Sequence, residues 1–472
     1  MKYQDIVERT RALAARPARK LDPTKRAAVM KQFTARTTGS ARLAQQAASV
    51  LPRGNEHAWT PSVPYPLYMN HGKGSRVWDV DGNEYVDYIL AGGPLILGHN
   101  HEGLRKSMMD LIGKRTYFHG FSDEMEIKAA EKIVRHFPSI ERVRFTSSGT
   151  EANSAAARIA RSFTGKKKVI KFLAGYHGWS DQFLTDMEVP GSGRYVSMGI
   201  PDEILDLTVL VPPNDLDALD RVLAEQASQG GVAAVFCEPV GGESGLVPFA
   251  DGFHASAIEI AHRHGALYVF DEVVTGLRMG LGGAQAVLGV KPDITTLGKA
   301  LMGGWPSCGA VCGSAAVMET ATAGVIPDGK PFAYLAGTLA GNTLSAAAAF
   351  YTILELEKPG VIDRMFLVTA DLVDRLNGLF SERGCGFFAF SFGGIVRIEM
   401  TAPHGVPLTG PEVFPEIIMR RALLEEYSAI VHAHGVLTRN GRDMVSTAHT
   451  TKDNDRAVKA FTALLDTLEE KE

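Results

Sequence analysis

Gly265-Ala-Leu-Tyr-Val-Phe-Asp271-Glu-Val273 is an apolar run that stops at an acid, and Asp293-Ile-Thr-Thr-Leu-Gly-Lys299 is a second that stops at a base. Short apolar runs of this kind read as buried strands. In an open α/β sheet, ligands gather at the carboxyl ends of strands, so Asp271 and Lys299 are expected to face one crevice. A lysine there can hold an aldehyde as a Schiff base, and an aspartate can keep a pyridine nitrogen protonated. Pyridoxal phosphate chemistry requires that pair of groups from a protein. A structural ion pair between strand ends would read the same way.

Upstream, Arg142-Val-Arg-Phe-Thr-Ser-Ser148-Gly149-Thr150-Glu151 reads as a strand breaking into a turn that opens a helix. Ala152, Ala155, Ala156, Ile159, Ala160 and Phe163 then recur at helical spacing. Ser148, Gly149 and Thr150 offer N–H groups, hydroxyls and the positive end of a helix dipole, which suit a phosphate and equally suit a plain N-cap. The G-x-x-x-x-G-K loop is absent, and Gly280, Gly282 and Gly283 have the wrong spacing for a dinucleotide fingerprint. Lys171-Phe-Leu-Ala-Gly-Tyr176-His177-Gly178-Trp179 puts an aromatic ring after a strand, where it can stack on a planar cofactor or simply pack. Gly337-Thr338-Leu-Ala-Gly341-Asn342 is a polar turn with room for another phosphate contact.

In this order the segments resemble the class III aminotransferases, pyridoxal phosphate enzymes of fold type I, and most of all the branch containing glutamate-1-semialdehyde 2,1-aminomutase. The matching pieces also include Trp78-Asp-Val-Asp81-Gly82-Asn-Glu-Tyr-Val-Asp87-Tyr, Gly98-His99-Asn-His101, Glu238-Pro-Val, Asp271-Glu-Val-Val-Thr-Gly-Leu-Arg278 and Ser446-Thr-Ala-His-Thr450. The resemblance implies that Lys299 binds the cofactor covalently and moves a proton once freed. It implies that Asp271 meets the pyridine nitrogen, that Val273 and Tyr176 cover the ring faces with His177 alongside, and that Ser148, Gly149 and Thr150 hold the phosphate. Glu238 is expected to support Asp271 or the ring hydroxyl. Thr338 is expected to reach the phosphate of a neighbouring subunit, which implies a homodimer with shared active sites. No metal is expected.

One departure bears on substrate. The aminomutases carry an arginine for the substrate carboxylate shortly after a Pro-Gly-Gly-x-Asn-Ser turn. Here the stretch is Pro52-Arg-Gly-Asn-Glu-His57-Ala-Trp59-Thr60; Arg53 falls too early and no arginine follows until Arg76. An unpaired carboxylate is costly to bury, so an aminomutase is not expected. His57 and Trp59 suggest instead an aromatic pocket wall and a donor with an apolar or aromatic portion; Arg439, Arg397 or Arg442 can bind a carboxylate if one is used. The reading is an aminotransferase acting between an amine or amino acid and a keto acid or aldehyde. A racemase or an aminomutase would use the same Lys299 and Asp271, and a non-catalytic cofactor-binding protein would have no need to keep both.

The chain has 472 residues, 45% hydrophobic and 22% charged, an ordinary globular composition long enough for a large and a smaller domain. A net charge of −4 without a basic patch argues against nucleic acid as a partner. Four scattered cysteines, Cys237, Cys308, Cys312 and Cys385, fit a reducing cytoplasm, with Cys308 and Cys312 expected as buried thiols. No apolar stretch suggests export or a membrane span. Residues 1–50 read as an N-terminal helical arm broken at Leu21-Asp-Pro23, packing on a partner or lying on the surface. Residues 51–99 with 346–472 read as a small domain, and 100–345 as the large cofactor domain. The large domain is expected to be α/β, with a mostly parallel sheet of strands near Val143, Val169, Val209, Val235, Tyr268 and Ile294. A hairpin is expected at Asp81-Gly82, a bridging helix at Ser345–Glu357, and strands at 387–400 and 429–436.

Overall fold

The structure, a computed structural model, describes residues 1–57, 63–114, 120–185, 197–322, 330, 332–407 and 411–470. It divides into two compact units, Met1–Glu102 with Pro359–Glu472, and Gly103–Lys358.

The second unit is built on a seven-stranded sheet. Its order is Arg142–Thr146, Gly309–Gly313, Ile294–Gly298, Leu267–Asp271, Val232–Cys237, Lys168–Phe172 and Thr208–Val211. Six strands run parallel, and Gly309–Gly313 runs against both of its neighbours. Successive side chains on a strand point to opposite faces. Accordingly Val169, Ala234 and Val269 join one core, under the Ala-rich helix Gly149–Thr164, while Ile170, Val235 and Phe270 join another, under the helices Leu216–Gln226 and Phe253–Arg263. Both faces are covered, so the strands read as nearly unbroken apolar runs.

The antiparallel strand is absent from the sequence reading because Gly-Ala-Val-Cys-Gly is short and ends in glycines. Its first glycine serves packing, since a Cβ at Gly309 would lie 2.3 Å from Thr146 Oγ1. Phe163, the last residue of the apolar helical repeat, is 42% exposed. Cys312 is buried as expected, whereas Cys308 is only partly buried. The bridging helix is found at Thr343–Leu356, capped by Asn342, and lies wholly within the second unit. Glu357 at its end takes hydrogen bonds from Lys132 and His136 of the helix Glu124–His136.

In the first unit, Arg76–Asp79 and Glu84–Asp87 form the expected hairpin, with Gly82 left-handed at φ 86°. Met69–Lys73 extends it on one side and Val436–Leu437 on the other. Residues 1–50 are helical at Tyr3–Ala14, Pro23–Ala35 and Thr38–Ala47, and Asp22 caps the second helix at the expected break. They do not form a separate arm. Phe33 is buried with Leu67, Val77, Tyr85 and Leu437 of their own unit, and Arg420 donates to the carbonyls of Ala14 and Arg16. Residues 387–400 are a hairpin of two strands, Phe388–Phe392 and Ile395–Glu399. The strand expected at 429–436 is mostly helix: Phe414–Ala433 is one helix, and only Val436–Leu437 pairs as strand. Ala429 to Ala433 are all buried, so tertiary packing overrides the β-preference of Ile430 and Val431.

Among the described residues no helix is long and apolar enough to cross a membrane. No group of three or more His, Cys, Asp or Glu among them is placed to hold a metal ion.

Burial pushes the Glu399 carboxyl up to about 7, against a weaker downward pull from Arg397. The folded chain thus keeps this proton to a higher pH than the unfolded chain, whose carboxyl titrates near 4.5. This site therefore loses stability as pH rises from 4.5 to 7 and does not regain it above. Glu399→Gln is expected to raise the calorimetric melting temperature at pH 8 and leave it nearly unchanged at pH 4.5; an equal gain at both would contradict the assignment.

Candidate active site

Asp271 ends the Leu267–Asp271 strand and is 5% exposed. Its Oδ2 accepts from Asn153 Nδ2 and His177 Nδ1, both at 2.8 Å, and its Oδ1 accepts from the Val273 N–H at 3.0 Å. Asn153 is itself oriented by Thr296, whose hydroxyl donates to its Oδ1 at 2.8 Å. Thr296 lies opposite Asp271 on the next strand. His177 is 1% exposed, with its ring against Phe183 and Phe236. The carboxylate is thereby fixed from a helix, a loop and its own chain.

Lys299 follows the neighbouring parallel strand, Ile294–Gly298, and opens a short turn, Lys299–Met302. Its backbone is left-handed, with φ 43°. For a residue with a Cβ that conformation costs about 1–3 kcal/mol and persists only where the surroundings impose it. Cys308 Sγ donates to the Lys299 carbonyl at 3.1 Å. Burial pushes the Cys308 thiol up to about 12, so it stays protonated as a donor.

Val273 is wedged between two glycines. A Cβ at Gly149 would lie 2.9 Å from Val273 Cγ1, and one at Gly298 would lie 3.1 Å from it. Gly149 opens the helix Gly149–Thr164, whose N-cap Ser148 accepts from the Glu151 N–H at 3.2 Å. The first-turn N–H groups of such a helix point outward from its positive end. Thr150 packs under Gly178, which is left-handed at φ 92° and has no room for a Cβ, 2.5 Å from Thr150 Oγ1. The Tyr176 N–H donates to Glu238 Oε1 at 2.9 Å, which ties the Tyr176-His177 loop to the end of the Val232–Cys237 strand.

Thus Ser148, Gly149, Thr150, Tyr176, His177, Glu238, Asp271, Val273 and Lys299 all lie at the carboxyl ends of strands in one unit, or on the loops and helix start that follow them. Thr338 lies in the same unit but is exposed, on the wall of a cleft of about 800 Å³ lined also by Phe121, Ser122, Glu126 and Arg144. His57 and Arg439 belong to the other unit. His57 is exposed, in a turn closed by Asn55, and the Arg439 N–H donates to Asp443. Trp59 lies outside the described residues. Asn153 and Thr296 were absent from the sequence reading. The signal for Asn153 was there, as the one amide between Ala152 and Ala160 in an alanine-rich helix.

The aminotransferase class-III family model matches residues 59–462. The chain belongs to this family. It is 43% identical to a glutamate-1-semialdehyde 2,1-aminomutase of Ignicoccus hospitalis over 327 residues, 68% of this chain and 74% of that one. Among solved structures it resembles an omega-transaminase from Sphaerobacter thermophilus, with TM-score 0.81 and 29% identity over 91% of this chain and 97% of that one. It also resembles a β-phenylalanine aminotransferase from Variovorax paradoxus, with TM-score 0.77 and 26% identity over 95% and 99% of the two chains. Pyridoxal phosphate is the cofactor.

The residues present fit that group. A carboxylate offers about four acceptor sites, and the three donors above leave Asp271 capacity for a further N–H. Val273 is held as an apolar platform, and a helix N-terminus stands beside it. Gly149→Ala should force Val273 out of place and weaken pyridoxal phosphate binding by about tenfold, within the cost range of overpacking. Adding Val273→Ala should restore part of the loss, as read by cofactor titration; an unchanged affinity in Gly149→Ala would contradict the wedge.

Proposed function

We propose that this protein is a pyridoxal phosphate-dependent aminotransferase, passing an amino group between an amine or amino acid with an apolar or aromatic portion and a keto acid or aldehyde. The observation that carries the chemistry is the pairing of Asp271, held by three donors, with Lys299 on the adjacent strand end. Bound pyridoxal phosphate supplies an aldehyde for amines and a protonated ring that draws electrons from the substrate carbon. Lys299 would hold the cofactor through its Nζ, and that Nζ would be the group placed to move a proton at the substrate carbon. Asp271 keeps the pyridine nitrogen protonated, with His177 and Asn153 fixing the carboxylate. Val273 and Tyr176 would pack against the cofactor ring, Ser148, Gly149 and Thr150 would hold its phosphate, and Glu238 holds the Tyr176 loop through the Tyr176 N–H.

The preference for transamination rests on the missing arginine between Arg53 and Arg76, and the β-phenylalanine enzyme is a fold neighbour that takes an aromatic donor. A second reading, an aminomutase, is favoured by the name of the Ignicoccus relative. A donor screen that follows bleaching of the cofactor band separates them. Turnover of aromatic amines that requires a keto acid supports the proposal; efficient conversion of glutamate semialdehyde without an acceptor would replace it with the second reading. Asp271→Asn should lower turnover by at least ~10²-fold, as for loss of a positioned electrostatic group.

The exposed Thr338 is proposed to complete the phosphate site of a second copy in a homodimer. Mixing Lys299→Ala with Thr338→Ala protomers should recover part of the activity, because a heterodimer contains one intact site. Full activity of a monomer by light scattering would rule this out.

A further inference from the structure

Lys171 stands within the seven-stranded sheet, paired with Leu210 and Phe236 on its two neighbouring strands, and is 0% exposed. An amino group so deeply buried must find hydrogen-bond acceptors or its desolvation goes uncompensated. Its Nζ donates to the Gly175 carbonyl at 2.9 Å and to the Phe183 carbonyl at 3.0 Å. Those acceptors stand at the two ends of segment 175–183, so one side chain closes the segment like a clasp.

What lies inside the clasp is the histidine that holds Asp271. The His177 ring meets Phe183 edge-on at 5.6 Å between centroids, and its Nε2 lies 3.2 Å from where a Gly175 Cβ would be. Phe183 thus packs on the His177 ring, and the Gly175 backbone lies so near that ring that a side chain there would crowd it. Elsewhere the loop is tied through the Tyr176 N–H to Glu238 and through the Trp179 N–H to Thr150 Oγ1. Ala174, just before the clasp, is left-handed at φ 67°, a conformation that needs such restraint.

We infer that Lys171 is a positioning residue for the Asp271 carboxylate, acting through the clasped loop and the His177 ring. Without it the Gly175 and Phe183 carbonyls lose their shared donor, His177 gains freedom, and Asp271 loses a fixed partner. The inference rests on the reading that Asp271 meets the pyridine nitrogen. A residue that merely filled the core would be replaceable by methionine without effect on the cofactor.

The test uses the cofactor-loaded protein and needs no substrate: the pH midpoint of its visible absorbance band is measured in wild type, Lys171→Met, Lys171→Gln, His177→Ala and Lys171→Met/His177→Ala. Lys171→Met should move the midpoint by about half a pH unit or more, and Lys171→Gln, which keeps one donor group, by less. In the His177→Ala background the Lys171→Met shift should shrink below about 0.2 unit, because the two residues act along one path. Equal shifts in both backgrounds, or no shift in Lys171→Met, would overturn the inference while leaving the cofactor reading intact. Failure of both single Lys171 variants to fold, judged by circular dichroism, would assign Lys171 to the fold alone and overturn it too. A wild-type protein with no cofactor band would remove both readings.

Discussion

A carboxylate that is 5% exposed at the end of a central strand is the constraint around which this unit is arranged. Buried charge is tolerated only where donors converge on it. Here they come from a helix through Asn153, from a loop through His177, and from the chain itself at Val273. Each donor needs its own support, which Thr296 gives to Asn153 and the rings of Phe183 and Phe236 give to His177. The next residue, Glu272, solves the same problem differently. It is fully buried, and burial pushes its carboxyl up. It accepts from Thr275, from the N–H groups of Ala284 and Gln285, and from the Gln285 amide. Adjacent acids on one strand end thus serve opposite sides, one turned to the site and one anchoring the segment that follows.

Close approach is the second requirement. Val273 can sit beside the helix that starts at Gly149 only because Gly149 and Gly298 have no side chains. The same economy recurs where Gly178 meets Thr150 and where Gly309 lets its strand lie against Thr146 and Ser148. The helix-opening turn at Gly149, Val273 and the Lys299 strand end are therefore mutually dependent. Enlarging any one of these glycines displaces a neighbour that another part of the site uses.

Membership in the class-III aminotransferase family accounts for the cofactor machinery but does not choose among the chemistries its members carry out. The relatives span an aminomutase and transaminases on one fold. Function resides in the groups that meet the substrate, while the fold is shared among reactions. For this chain the informative departure is local: no arginine stands between Arg53 and Arg76.

The strand-end acid and base, the helix-opening Ser148-Gly149-Thr150 turn and the parallel sheet were legible in the sequence. Their physics is local: apolar runs of strand length, a helical repeat of alanines, and polar residues where each run stops. Less was legible where distant packing decides. Ile430 and Val431 have strand preferences yet complete a helix because both are fully buried there. Gly309–Gly313 has little strand signal yet pairs on both edges. Asn153, Thr296 and Lys171 are ordinary polar residues until the fold brings each against a buried acceptor. The sequence alone determined which residue types end each strand, since that depends only on neighbours along the chain. Which side chains converge on Asp271 was decided by tertiary structure, because a hydrogen bond across more than a hundred residues exists only once the sheet has set the register.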